Sequence, residues 1–171
     1  MSQSVVRSGK NAPPAAGASA GQYGRLYRTQ AMERIRLITT GVRAEDAKKW
    51  LDIASLGRSA TLKALDLPVA TFNRKVKAGE RLSQAESERV IGFARLVGQV
   101  EAMMEDAGVE EAGVEDAGGA AGFDAQEWLA QWLTTPVPAL GGARPIDLMG
   151  TMEGQGLVSQ TLAQMSSGAY A

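Results

Sequence analysis

No cysteine and no histidine occur among the 171 residues of this chain. Their absence removes disulfides, zinc-finger ligand spacing, Cys or His nucleophiles and the commonest general base. A chain without thiols suits a reducing cytoplasm, and that is where it is expected to act. Long apolar runs are missing too. No stretch approaches the roughly 18 apolar residues of a membrane helix, and Pro13-Pro14, Gly17 and Gly21 stand where an export signal needs an apolar centre. Neither a membrane segment nor an export signal is expected. Ser, Thr, Asp, Glu, Lys and Arg remain, yet nothing pairs a nucleophile with a base at a recognisable spacing. The chain reads as non-catalytic, without metal site or cofactor.

The net charge of -1 conceals a division. Residues 1–100 hold 17 Lys and Arg against 8 Asp and Glu, whereas residues 101–171 hold 1 against 11, so +9 is followed by -10. A basic half attracts phosphate by counterion release, while an acidic half is repelled by nucleic acid and free to meet another protein. Drift of solvated helix faces to opposite signs is the plainer alternative.

No segment alternates apolar and polar residues for long, so the expected fold is all-α. Four regions are expected. Residues 1–22 are rich in Ser, Gly, Ala, Pro and Gln and form a flexible arm. Residues 23–106 form a helix-turn-helix DNA-binding and dimerisation domain, residues 107–122 an acidic glycine-rich linker, and residues 123–171 a small C-terminal helical unit. Within the second region Leu26, Met32, Ile35 and Ile38 predict one helix closed by Gly41, and Ala47, Trp50, Leu51 and Ala54 a second, closed by Gly57. Two short helices follow, Ser59 to Leu65 and Val69 to Ala78, with Ser59 as cap and Asp66-Leu67-Pro68 as the turn. Leu62, Leu65, Val69, Phe72 and Val76 should face inward. Ser83 and Glu86 predict a capping box for a long helix to about Asp106, apolar over two faces and therefore in need of several neighbours, among which a dimer partner would serve. Most of the linker belongs to a tandem five-residue repeat, Glu105 to Gly119, with glycine at every fifth position.

Residues 58–81 carry the nucleic-acid signal: Arg58, Lys63, Arg74, Lys75, Lys77 and Arg81 against Asp66 and Glu80. In a helix-turn-helix the second helix enters the major groove, where Asn pairs with adenine and Arg with guanine. Asn73 and Arg74 are thus candidates for base contact, and Thr71 lies outward beside them. Lys75, Lys77, Arg58 and Ser59 are candidates for positioning on phosphate. A basic solvated face on a core hairpin is the competing reading.

Downstream, Asp124 and Glu127 predict another capping box, starting a helix with Trp128, Leu129, Trp132 and Leu133. Pro136 and Pro138 stop it, Gly141-Gly142 permit a positive-φ turn, and Pro145 opens a short helix to about Met149. A last helix, Gly154 to Ser167, should turn Leu157, Val158, Thr161, Leu162 and Met165 inward. Trp128 and Trp132 lie four apart and suit core or anchor. Arg144 and Asp147 suit a local ion pair, a partner contact, or both. The segment Gly168-Ala169-Tyr170-Ala171 would present an aromatic ring and a carboxylate for insertion into a partner's pocket, if it is more than a frayed end.

Trp128-Leu129, Ala139-Leu140-Gly141-Gly142, Arg144-Pro145-Ile146-Asp147-Leu148, Thr151, Gly156, Val158, Leu162 and Gly168 together resemble the toxin-neutralising region of Xre/MbcA/ParS-type antitoxins, the partners of RES-domain toxins. The stretch from Leu82-Ser83 to Glu86-Ser87-Glu88-Arg89 and the order of helices are similar as well. The acidic repeat looks like an insertion into that pattern. The resemblance implies a type II antitoxin with an Xre-like helix-turn-helix unit and a toxin-binding unit. Its partners would be a RES-domain NAD-degrading toxin and operator DNA, engaged as a homodimer within a larger complex. Arg144, Asp147, Gly168, Ala169, Tyr170 and Ala171 would contact the toxin, the last four by shutting its NAD pocket. The alternative is a stand-alone helix-turn-helix regulator whose C-terminal unit senses a ligand or a protein.

Overall fold

The computed structural model describes residues 20–53, 56–107 and 124–167. The described residues form eight α-helices and two 3-10 turns, and their only β-type pairing is the isolated bridge between Arg43 and Arg81. The fold is all-α, as expected.

The first expected helix is two. Helix α1 (Ala20–Arg28) starts inside the stretch expected to be a flexible arm, and α2 (Ala31–Thr40) follows a break at Thr29-Gln30. The apolar stripe read across Leu26, Met32, Ile35 and Ile38 is therefore split. Leu26 is buried, Ile38 half-buried, and Met32 and Ile35 are exposed at 62% and 47%. Tyr23 is buried and donates its hydroxyl to the Trp50 carbonyl oxygen at 3.0 Å. Burial and the nearby Glu101 push its pKa up to about 12, so the phenol stays protonated as a donor. Gly41 ends α2 at φ 85 and sits under the Leu82 carbonyl, 2.5 Å from where a Cβ would be. Only glycine fits both demands.

Helix α3 (Ala44–Leu51) buries Ala44, Ala47 and Leu51; Ala54, placed on the same stripe from sequence, lies outside the described residues. Helices α4 (Arg58–Ala64) and α5 (Val69–Ala78) form the expected helix-turn-helix. Ser59 does not cap α4: the N-cap is Gly57 at φ 76, which leaves Ser59 exposed in the first turn. Asp66 makes the turn at φ 53, a left-handed conformation that short polar side chains tolerate. The Leu67 amide closes it on the Leu62 carbonyl at 2.8 Å, and the Leu67 side chain is buried. Phe72 anchors α5, but Val69 at its first position is exposed rather than inward.

The long helix α6 (Gln84–Asp106) carries the predicted capping box. Glu86 N donates to Ser83 Oγ at 3.2 Å and Ser83 N to Glu86 Oε2 at 2.6 Å. Its wide apolar surface is covered within the chain, by α1, α2, α3, α7 (Ala125–Thr134) and α8 (Met152–Ser166). No second copy is needed to explain that width. Of the capping box expected at Asp124 and Glu127 only half forms: Asp124 accepts from the amides of Gln126 and Glu127, and Trp128 and Trp132 stack at 6.1 Å, half-buried against the core. After the 3-10 turn Pro138–Leu140, Gly141 and Gly142 take φ 65 and 81. A second 3-10 turn, Pro145–Leu148, leads to α8, capped by Thr151. Helix α8 turns Val158, Thr161 and Leu162 inward. Leu157 and Met165, expected there, are exposed at 46% and 39%.

The core is continuous from Tyr23 to Leu162, so the basic and acidic parts of the chain share it. Two glutamines clasp α8 to α6. The Gln155 amide, 3% exposed, donates to the carbonyls of Arg89 and Met149 at 3.1 and 2.9 Å. Gln99 and Ser159 exchange two bonds, the Gln99 amide to the Ser159 carbonyl at 2.9 Å and the Ser159 hydroxyl to Gln99 Oε1 at 2.7 Å.

Candidate functional site

Helix α5 projects from the body with Thr71, Asn73, Arg74 and Lys77 exposed. Phe72, its fully buried residue, seats it with Val76 half-buried beside the core, and its C-terminal Gly79 is left-handed at φ 65, so the helix stops before it meets the next element. That is the surface a reading helix requires.

The cations around it are not equivalent. Arg74 pairs with Glu80 at 2.6 Å, but both side chains are exposed, at 60% and 42%. Such a pair is weak and opens readily for a base or phosphate. Arg58 reaches Asp52 at 2.8 Å at the start of α4 and is half-buried. Ser59 beside it is exposed. Lys75, a candidate for phosphate, turns inward instead. It meets Glu86 at 2.5 Å with side-chain exposures of 14% and 15%. Burial alone would raise the Glu86 carboxyl, but hydrogen bonds from Lys75 and Ser83 outweigh it and hold the group below its ordinary 4.5. Lys75 thus bolts α5 to the N-terminus of α6 and sets the angle of the reading helix. A second bolt joins Arg89 of α6 to Asp66 in the turn at 3.1 Å. Neither pairing was legible beforehand, because each joins residues 11 or 23 apart through packing.

In the C-terminal unit, Arg144 and Asp147 form a two-pronged pair, Nε to Oδ2 and Nη2 to Oδ1, both at 2.9 Å. The pair holds the Arg144 guanidinium above its ordinary range. Both side chains are 53% exposed, so the local ion pair is real and its outer edges remain open to a partner. Lys63 and Ala60 of α4 face this pair across a recess of about 390 Å³. The reading unit and the C-terminal unit are therefore adjacent there. Gly168, Ala169, Tyr170 and Ala171 lie outside the described residues, as does most of the acidic repeat.

Sequence reasoning missed Arg95, a half-buried cation on α6, and the two glutamine clasps. The one sequence signal for a clasp is the helical glycine Gly92, where Gln155 approaches too closely for a Cβ. Among the described residues no group of acidic side chains could hold a metal ion, and no helix is long and apolar enough to cross a membrane.

Comparison with known proteins agrees with this division. Residues 33–95 match the antitoxin Xre-like helix-turn-helix domain, and residues 119–168 match the antitoxin Xre/MbcA/ParS C-terminal toxin-binding domain. The chain is also similar to a Prs ADP-ribosylating antitoxin of Sphingobium sp. (strain YBL2), 45% identical over 163 residues that cover 95% of this chain and 92% of that protein.

Proposed function

The chain belongs to the Xre/MbcA/ParS antitoxins, and from that premise we propose that it restrains a RES-domain, NAD-consuming toxin and represses its own operon. It is an antitoxin of a toxin–antitoxin system, with a helix-turn-helix domain and a toxin-binding domain on one core. The name of the Sphingobium relative joins an antitoxin to ADP-ribosylation. That reaction uses NAD as donor, which favours transfer over hydrolysis or phosphorolysis for the toxin restrained here.

In this reading the C-terminal region does the restraining. Gly168 to Ala171 close the toxin's NAD pocket, the Tyr170 ring taking the space of nicotinamide. Arg144 and Asp147 contact the toxin outside the pocket. The reading helix serves repression: Asn73 and Arg74 meet bases, Thr71 lies beside them, and Lys77, Arg58 and Ser59 meet phosphate. Lys75 acts through its bolt to Glu86, orienting the helix. Two copies, bound side by side as a homodimer in the cytoplasm, would match a two-fold operator. The chain itself performs no chemistry and needs no cofactor.

The observation that carries this reading is the exposed basic helix α5 on the same core as the segment matched to the toxin-binding domain. Co-expression with the product of the neighbouring gene, followed by purification and an NAD assay, tests it. A complex that spares NAD is expected. Recovery of the two proteins apart, with NAD consumption undiminished, would overturn it.

A further inference from the structure

Four glycines interrupt helices α6 and α8, and three have a reason inside the chain. A Cβ on Gly98 would lie 2.2 Å from the Tyr23 carbonyl oxygen, one on Gly154 2.0 Å from that of Leu148, and one on Gly92 1.8 Å from Gln155 Oε1. Gly156 has no such reason: a Cβ there meets nothing within 4 Å. Glycine inside a helix is unfavourable relative to alanine. The fold gains nothing from Gly156, so its use lies in what approaches from outside, where a missing side chain admits a partner's main chain.

Gly156 stands on the lip of a groove between α1, α6 and α8, with Tyr27, Arg95, Met152 and Ser159 and a cavity of about 100 Å³. Arg95 is the anomaly in it. Its Nε is buried without a hydrogen-bond partner, and the guanidinium makes no ion pair among the described residues. The neighbouring charge that acts on it is a second cation, Arg34, and burial together with Arg34 pushes its pKa below the ordinary value. A partly desolvated cation beside another cation is unfavourable until an anion arrives. Met152 adds an apolar side chain, 41% exposed, at the same place. Arg, Tyr and Met are the residue types that recur at the centres of protein interfaces.

We propose that this groove receives the toxin: a stretch of toxin main chain lies against Gly156, and one of its Asp or Glu carboxylates closes on Arg95. The inference rests on the reading that the chain restrains a toxin, and it adds a contact surface separate from Gly168 to Ala171 and from Arg144 and Asp147. The choice of toxin over nucleic acid follows from the wall opposite Arg95. Met152, Gly156 and Ser159 all belong to the segment matched to the toxin-binding domain. Because Arg95 stands on α6 within the segment matched to the helix-turn-helix domain, a bound toxin would grip both units at once.

The test titrates the full chain, Arg95→Gln and Gly156→Gln against a catalytically inactive form of the neighbouring gene's toxin by calorimetry. Operator affinity and thermal midpoint are measured on the same samples. Each substitution is expected to weaken toxin binding roughly 10-fold or more, Arg95→Gln with a shallower salt dependence. Operator affinity should stay within about twofold, and the midpoint should equal or exceed that of the unaltered chain, since each change relieves the isolated chain of an unfavourable feature. Toxin affinity unchanged in both variants overturns the groove and leaves the antitoxin reading standing. Loss of operator affinity with toxin affinity intact assigns Arg95 to phosphate and also overturns it. An unaltered chain that ignores the toxin overturns both.

Discussion

The seat of α1 on α6 is set by a glycine, and replacing that glycine tests the packing directly. In Gly98→Ala the new Cβ would lie 2.2 Å from the Tyr23 carbonyl oxygen and 2.6 Å from its carbon, both backbone atoms that cannot rotate away. Helix α1 must retreat by about 1 Å to restore van der Waals separation. What the retreat endangers is the burial of Tyr23 and Leu26, each about 1.5–3 kcal/mol, and the hydroxyl bond to Trp50, about 1 kcal/mol. Complete loss of the seat would therefore cost about 4–7 kcal/mol. A retreat that keeps most of the contact falls at the upper end of ordinary overpacking, about 3 kcal/mol, offset by about 1 kcal/mol from alanine's helix preference. The expected loss is about 2 kcal/mol, read by urea unfolding followed through tryptophan fluorescence. Gly156→Ala, the same chemical change in open space, should instead gain up to about 1 kcal/mol. Gly98→Ala as stable as the unaltered chain would refute the described approach of α1 to α6.

Other expectations follow from the same geometry. Arg74→Ala should weaken operator binding and lower the slope of log affinity against log salt by about 1; gel-shift titrations at several salt concentrations read this, and unchanged binding removes the residue from the interface. Lys75→Met should destabilise by about 2 kcal/mol, since it strands a mostly buried carboxylate, and urea unfolding measures it. Glu86 is held below its ordinary 4.5, so its contribution is present above that value and is lost as pH falls through the lower folded value. The unaltered chain should therefore lose stability in that acid range, and Lys75→Met should lose less; equal acid sensitivity in the two would contradict the bolt.

What could be read from residues alone was whatever is local in the chain. The capping box Ser83 to Glu86, the Asp124 cap, the Gly141-Gly142 turn and the two helices flanking Asp66-Leu67-Pro68 each depend on neighbours within a few positions, and each is found. The start at Ala20 is not legible because Ala20-Gly21-Gln22 carries no large apolar side chain to mark a packed face; the helix is held by Tyr23 and Leu26 pressing on α6. The outward position assigned to Lys75 rested on helical periodicity, which knows nothing of Glu86 across the turn. The candidate site divides likewise. Asn73 and Arg74 are exposed as their spacing suggested, while Arg95 and the glutamine clasps depend on how α8 returns to α6, a contact between segments about 60 residues apart.

The most direct test of the central claim, that the C-terminal region is a stopper for a toxin carried on a DNA-reading body, is NAD consumption by the neighbouring gene's toxin against increasing amounts of the full chain and of a form ending at Ser167. The full chain is expected to halt consumption at stoichiometric amounts, while the shortened form binds operator normally and leaves the toxin active. A shortened form that silences the toxin as completely as the full chain would contradict it.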